Sequence, residues 1–449
     1  MTTSCPIDRI VKRDGSVVRY DRERIATAVF QALNSMGRPD LERAASLAVK
    51  VERALVAAYG GGDRLPTVED IQDVVESVLM EEGLTDVARE YIIYRHQRAM
   101  ARAARAYTFE VADFVPYRKI YEVLRWNIDH GCDSVRGLNR IVRSGAFPAF
   151  VRAVDARYEE EAGLAAQGIL RNLGAIRLVI VAGPSSSGKT TTTLKIAERL
   201  RRAGAAFHAV NIDHYFFNLE DHPRDEFGDY DYETPQALDL ELINRHLQAL
   251  LAGETVRTPH YDFKTGRREL DVHPMRLRDN EILLVDSLHG LHADMTASVP
   301  EANKYRVYVE TLGQVKSDDG ALMRWADNRL LRRMQRDRRY RNLQPLQTLT
   351  HWHYVRRSEL QNIIPYIHTA DVIVNTALPY ELPILRRRLF RTISSARRSF
   401  ADDARRRDAY IRANRIYDLL KPMRGVRDDT CVSPTSLLRE FIGGSAYTY

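Results

Sequence analysis

Short apolar runs rich in β-branched residues recur through the second half of the chain: RLVIVAG from Arg177, FHAVNID from Phe207, EILLVD from Glu281, KYRVYVE from Lys304 and DVIVNTA from Asp371. Helical stretches separate them. Strands apolar along their whole length are buried on both faces, and their alternation with helices predicts an α/β fold built on a parallel sheet. The first hundred residues read differently. RIVKRDGSVVRY suggests two short strands around Asp14-Gly15, a dipeptide that permits a tight turn. Asp21 can cap a helix with Ile25, Val29 and Leu33 on one face, ended by Gly37 and Pro39. Thr67 and Asp70 make a capping-box start for a helix bearing Ile71, Val74, Val75 and Val78, closed by Gly83. The expected organisation is a hairpin-plus-helices domain over 1–105, a polar helical connector over 106–172, an α/β domain over 173–395, and a helical, arginine-dense segment over 396–449.

A length of 449 residues agrees with two or three domains, and 44% hydrophobic with 28% charged residues is globular composition. No apolar run is long enough for a bilayer span or a signal-peptide core, so a soluble cytoplasmic protein is expected. Cys5, Cys132 and Cys431 are scattered without CxxC spacing, which indicates neither a disulfide framework nor a zinc site. The net charge of +7 comes mostly from arginine near candidate phosphate sites and in the tail. No nucleic-acid motif accompanies it, and nucleic acid is not expected as a partner.

Directly after the first apolar run stands GPSSSGKT, in which Gly183, Gly188, Lys189 and Thr190 satisfy G-x-x-x-x-G-K-[ST], and TTTLKIAERL opens a helix. The glycines let the backbone N–H groups of a loop through Ser185, Ser186, Ser187 and Thr191 converge on nucleotide phosphates. Lys189 reaches the β and γ oxygens, and the Thr190 hydroxyl can coordinate Mg²⁺. Kinases, ATPases and GTPases share this loop. Phosphoryl transfer to an alcohol additionally needs a carboxylate at the acceptor hydroxyl, a metal site and cations over the transferring group. Asp213 at the end of the second run could accept the hydroxyl proton, and Asp286 at the end of the third could hold Mg²⁺; either could instead be a helix cap. NRLLRRMQRDRRYR carries seven arginines, including Arg333, Arg336 and Arg341, some of which should face phosphate from a closing segment.

From about 175 to 395 these residues resemble the uridine kinase and phosphoribulokinase family of P-loop kinases. GPSSSGKT, the Asp213 segment, YDF at 261–263 and the RRMQRD stretch occur in the family's order and spacing. The resemblance implies ATP and Mg²⁺ as cofactors, Asp213 as general base, and Thr190 with Asp286 as metal site. It further implies Glu233 on the sugar hydroxyls, Tyr261 in the nucleoside pocket, Arg333 as a sugar contact, and Arg336 and Arg341 as lid cations. The likeness is greatest to the family's longer bacterial branch, which shares EFGDYDYE, FKTGRRE and SLLREFIGGS. Two positions depart from the family: Gly266 replaces a base-reading histidine five residues after the pocket tyrosine, and Asp286-Ser287 replaces the usual Glu-Gly. His289, in SLHGL, is read as structural.

The N-terminal module resembles an ATP-cone, on VKRDGSVVRYDRERI, TVEDIQDVVE and AREYIIYRHQR. The resemblance implies regulation by ATP or dATP with Lys12 and Arg13 as phosphate contacts, and Arg24 where the domain usually has lysine. The expected function is phosphorylation of a nucleoside 5′-hydroxyl by a homo-oligomer under ATP/dATP control. A kinase for another sugar or vitamin-like alcohol is the alternative, or a nucleotide-responsive regulator without significant kinase activity.

Overall fold

The computed structural model describes residues 7–11, 17–36, 38–60, 65–92, 115–223, 230, 233–262, 265–341, 343–401 and 406–448. They fall into two compact units, residues 1–111 and 112–449.

In the first unit, β1 (Arg9–Val11) pairs antiparallel with β2 (Val17–Arg19). Val11 faces Val17, one residue away from the partner that a two-residue Asp14-Gly15 turn would give it. Residues 12–16, with Lys12 and Arg13, lie outside the described residues. The Asp21 side chain accepts the Glu23 N–H at the start of helix Arg22–Ser35, whose Ile25, Val29 and Leu33 are buried. Thr67 and Asp70 form a reciprocal capping box on helix Val68–Glu81, satisfying two otherwise orphaned donors. Ile71, Val75 and Val78 join the core of this unit, together with Leu47, Val51 and Leu55 of helix Leu41–Tyr59. Gly83, at φ +72°, takes the left-handed conformation that ends a helix cheaply only in glycine. Arg24 stays at the surface, 3.3 Å from Asp21.

In the second unit, five parallel strands make one sheet in the order β4 (Ala206–Asn211), β7 (Glu281–Ser287), β3 (Leu178–Ala182), β8 (Lys304–Glu310), β9 (Val372–Asn375). All five predicted runs are in it. β3 is buried at every position, as a central strand covered on both faces must be. Its neighbours β7 and β8 lie on opposite sides, so connections depart in both directions and open a crevice at the carboxyl ends of the strands. The antiparallel hairpin β5 (Thr255–Asp262) and β6 (Arg267–Arg276) was not predicted. β6 is largely exposed, with Leu270 itself at the surface, so no burial alternation marks it in the sequence.

The stretch expected as a connector supplies helices Tyr117–Asp129, Val135–Arg143 and Phe147–Arg171. Val135, Leu138, Phe150, Val151, Val154 and Ile169 share one core with Val179 and Val181 of the sheet and with Leu419 and Phe441 of the C-terminal segment. These helices close one face of the sheet. The C-terminal segment continues from helix Arg407–Leu420 into an irregular run and the short helix Arg439–Ile442.

Helix Trp325–Tyr340 holds the arginine cluster, and its two most buried arginines are structural. Arg329 is 2.9 Å from Glu310 and also pairs with Glu359. Arg332 binds Glu381 at 2.6 Å. Removing one partner of such a pair leaves an uncompensated buried charge. Glu381→Ala is therefore expected to lower stability by about 3–5 kcal/mol, read as a fall in the urea unfolding midpoint. A midpoint equal to that of the wild type would show that Arg332 finds compensation elsewhere.

Candidate active site

The phosphate loop runs from the end of β3 into helix Lys189–Arg202. Its glycines are sterically required: a Cβ at Gly183 would lie 2.2 Å from the Val309 carbonyl oxygen, and Gly188 sits at φ +92°. Ser186 also adopts a positive φ, +61°, a conformation costly for a residue with a side chain and concentrated at ligand sites. The loop is held from outside by the arginine helix. Arg329 donates to Ser185 O at 3.2 Å, Arg332 donates to Ser187 O at 3.3 Å, and Arg333 donates to the Ser185 hydroxyl at 2.9 Å.

Lys189 leaves the loop with its Nζ 3.4 Å from Pro184 O, a weak bond that keeps the ammonium available. Burial pushes its pKa down, and Asp286, Asp213 and Glu440 act against that. Asp286 is register partner to Val181 on β3 and to Asn211 on β4, so three strand ends meet beside it. Burial raises its pKa to about 6, opposed by Lys189, reinforced by Asp213 and Glu440, and opposed again by a hydrogen bond from Thr190. Asp213 lies beyond the end of β4, in a 3₁₀ turn Ile212–Tyr215 that Asn211 fixes by accepting the Asp213 N–H at 3.0 Å. Burial raises its pKa as well, opposed by Lys189 and Arg341 and reinforced by Glu233.

On the side away from the loop, Glu233 binds Arg333 at 3.0 Å, and its carbonyl accepts the Ser358 hydroxyl. Arg333 therefore links the Ser185 hydroxyl of the loop to the Glu233 carboxylate. Burial lowers the Arg333 pKa, but Glu233 and then Asp337 outweigh it and the net shift is upward. Arg336 lies 3.8 Å from Asp337, with Glu440 close enough to act on its charge; burial and then the adjacent Arg341 bring its pKa down to about 10. Arg341 is half exposed at the helix end, 3.8 Å from the same carboxylate. With Arg333 at 3.4 Å, three arginines surround Asp337, an arrangement that favours further negative charge.

Tyr261, on β5, is buried with Phe216 at 5.6 Å and His222 at 6.4 Å between ring centres, and its N–H donates to His214 Nδ1. Gly266 forms the turn of the hairpin: its φ is +69°, its N–H donates to Asp262 O, and its carbonyl accepts the Leu219 N–H. A Cβ there would approach Leu219 Cβ to 2.9 Å. A side chain at this positive-φ position would strain the backbone and crowd Leu219, which suits glycine here. His289 is buried and its pKa falls to about 3 through burial, so the ring is neutral near pH 7.

These groups brought together, Lys189, Asp213, Asp286, Arg336, Arg341 and the Arg333–Glu233 pair, were all singled out in the sequence. Glu440 was not. Its carboxylate accepts the Thr191 hydroxyl at 2.5 Å and the Thr191 N–H at 3.3 Å. The two residues are 249 positions apart, and no local pattern announces the contact.

The residues fit the groups that such a loop takes. Among the described residues the buried hydroxyls of Ser186 and Ser187 have no hydrogen-bond partner, and the Thr190 hydroxyl stands in bonding contact with the Asp286 carboxylate. Mg²⁺ uses one or two protein ligands with phosphate oxygens and water completing its shell. Among the described residues no group of three or more His, Cys, Asp and Glu could hold a metal by itself, and no helix is long and apolar enough to cross a membrane.

Residues 178–380 match the model of the Phosphoribulokinase / Uridine kinase family, and residues 8–100 match that of the ATP cone domain. The uridine kinase of Deinococcus deserti is 30% identical over 195 residues, which cover 43% of this chain and 84% of the relative. That of Halobacterium salinarum is 31% identical over 157 residues, 35% of this chain but only 60% of the relative's length. The N-terminal part is similar to a vitamin B12-dependent ribonucleoside-diphosphate reductase of Thermoplasma acidophilum, 42% identical over 101 residues, 21% of this chain and 12% of the reductase. A solved Bacillus stearothermophilus chain described as a possible uridine kinase superposes with a TM-score of 0.33 at 15% identity, over 48% of this chain and 98% of that one. With four-fifths of the Deinococcus kinase matched across the phosphate-loop domain, the chain belongs to the phosphoribulokinase/uridine kinase family and carries an ATP-cone domain ahead of it.

Proposed function

We propose that this protein transfers the γ-phosphoryl group of ATP to the 5′-hydroxyl of a nucleoside. The observation that carries the reading is the meeting of Lys189, Asp213 and Asp286 at the ends of three adjacent strands, with the Arg333–Glu233 pair on the acceptor side. Asp213 is the general base, Glu233 and Arg333 orient the sugar, and Tyr261 lines the pocket. Lys189, Arg336 and Arg341 cover the charge that spreads over the transferring group, which is where an electrostatic site gains most. Thr190 and Asp286 would hold Mg²⁺, which would supply positive charge against the phosphates. A carboxylate whose pKa is raised by burial is a better proton acceptor than one at the ordinary value, provided it stays ionised at working pH.

Gly266 favours a second reading, in which the acceptor is another small sugar or vitamin-like alcohol, because the hairpin backbone disfavours a base-reading side chain at that point. Acceptor-dependent ADP release across nucleosides, phosphorylated sugars and vitamin alcohols separates the two. The ATP-cone match supports ATP or dATP as an effector at the first unit, with Arg24 and the undescribed Lys12 and Arg13 as its phosphate contacts. Light scattering and turnover of the full chain with each nucleotide are expected to shift; constancy of both would remove the regulatory role.

Asp213→Asn is expected to retain ATP affinity and lose on the order of 10²–10⁴ in turnover, the range spanned by general base catalysis. Turnover near the wild-type value would exclude Asp213 as the base. Asp286 gives a second expectation through its folded pKa of about 6, above that of an unfolded aspartate. The protonated form suits the fold, so the associated stability is complete below the unfolded value and disappears as pH rises through about 6. Asp286→Asn, neutral at every pH, should therefore melt a few degrees above the wild type at pH 7.5 and at the same temperature near pH 3.5, while losing Mg²⁺-dependent turnover. A stability gain equal at both pH values would contradict the assignment.

A further inference from the structure

The N-terminus of helix Lys189–Arg202 already carries an anion, and this chain supplies it. Gly188 is the N-cap, so Thr191 is the third helical residue and its N–H is among the donors that no intrahelical carbonyl can satisfy. Such donors, at the positive end of the helix dipole, are the ones that receive nucleotide phosphate in this motif. Here the Glu440 carboxylate takes both the N–H and the hydroxyl of Thr191. Glu440 is 7% exposed and close enough to Lys189, Asp286 and Arg336 to act on the charge of each.

The segment that delivers this carboxylate is docked along its length. Leu437 covers the loop so closely that a Cβ on Gly188 would lie 2.6 Å from its Cδ1. Phe441 lies 5.1 Å from the Arg332 guanidinium, and Gly443 packs on Arg339, where a Cβ would stand 2.2 Å from Nε. Ser436 shares the Asp155 carboxylate with Tyr380. Leu437 packs on Gly188 of the loop itself, while Ser436, Phe441 and Gly443 rest on scaffold residues, so withdrawing the carboxylate means loosening the segment.

A carboxylate and a phosphate oxygen cannot both accept the Thr191 donors. Two further carboxylates, Asp213 and Asp286, already act on Lys189, so a third anion beside incoming phosphates is repulsive. We propose that Glu440 occupies the place of a nucleotide phosphate oxygen, making residues 436–445 an autoinhibitory plug that nucleotide must displace from the phosphate loop. The inference rests on the nucleotide site assigned above. Apparent affinity for ATP is then the intrinsic affinity reduced by the fraction of molecules with Glu440 withdrawn, and anything that holds the segment away raises it. By reciprocity, ATP loosens the segment to the same degree that the segment weakens ATP.

The test uses the full chain in two measurements. Glu440→Gln keeps the size of the side chain and removes its charge; calorimetric titration with Mg·ATP in the absence of acceptor is expected to give about tenfold tighter binding than the wild type, or about 1.4 kcal/mol. Hydrogen exchange on the wild type needs no variant to fold: the amides of 436–445 are expected to lose protection at saturating Mg·ATP. Binding by Glu440→Gln that is equal or weaker, or protection of 436–445 that is unchanged or increased by Mg·ATP, would overturn the proposal and make Glu440 a permanent cap of the helix. If the wild type and Glu440→Gln both fail to bind Mg·ATP, the nucleotide site itself is wrong and the plug falls with it. Binding without displacement removes the plug alone.

Discussion

The geometry of the phosphate loop depends on two buried arginine–carboxylate pairs. Arg329 sits between Glu310 and Glu359, and Arg332 is held by Glu381, all buried. Ions out of water are expensive, and such pairs rarely stabilise a fold relative to apolar packing of the same volume. What they supply here is direction. Each guanidinium, oriented by its carboxylate, has further N–H groups that donate to Ser185 O and Ser187 O, and Arg332 also donates to Thr376 O at 2.6 Å. A planar fork can do this because its donors diverge at fixed angles. A loop whose own N–H groups must all face a ligand has its carbonyls turned outward, and something has to receive them. The arginine helix does so.

That division of labour explains what was legible in the sequence. The five apolar runs and GPSSSGKT are local signals, and each became the element it predicted. Asp213 and Asp286 were legible because a strand end in a parallel sheet fixes where a side chain goes. The arginine run was legible only as a cluster. Charge pattern cannot distinguish Arg329 and Arg332, which serve the scaffold, from Arg336 and Arg341, which share Asp337 with Arg333; the carboxylates that decide it lie on β8 and on helices Pro345–Asn362 and Glu381–Ser399. The helices of 117–171 read as a connector because their polar faces dominate the composition, while the apolar stripe that joins the sheet is spread over three elements. Glu440 was illegible for the same reason, its partner being 249 positions away.

The charge balance of the cleft completes the argument. Burial pushes Lys189 toward neutrality and Asp213 and Asp286 toward protonation; attraction between Lys189 and the two carboxylates opposes this, while Asp213 reinforces the shift of Asp286. Two carboxylates thus share Lys189, and three arginines share Asp337. On the reading proposed above, a divalent cation with a polyphosphate would add charge of both signs, the metal at Thr190 and Asp286, the phosphates at Lys189, Arg336 and Arg341. The one anion that the fold itself brings, Glu440, satisfies only the helix end and adds to the carboxylate excess beside Lys189. On the proposed reading such a site gains electrostatically when nucleotide and metal arrive together, and the group that gives way is the one whose charge they replace.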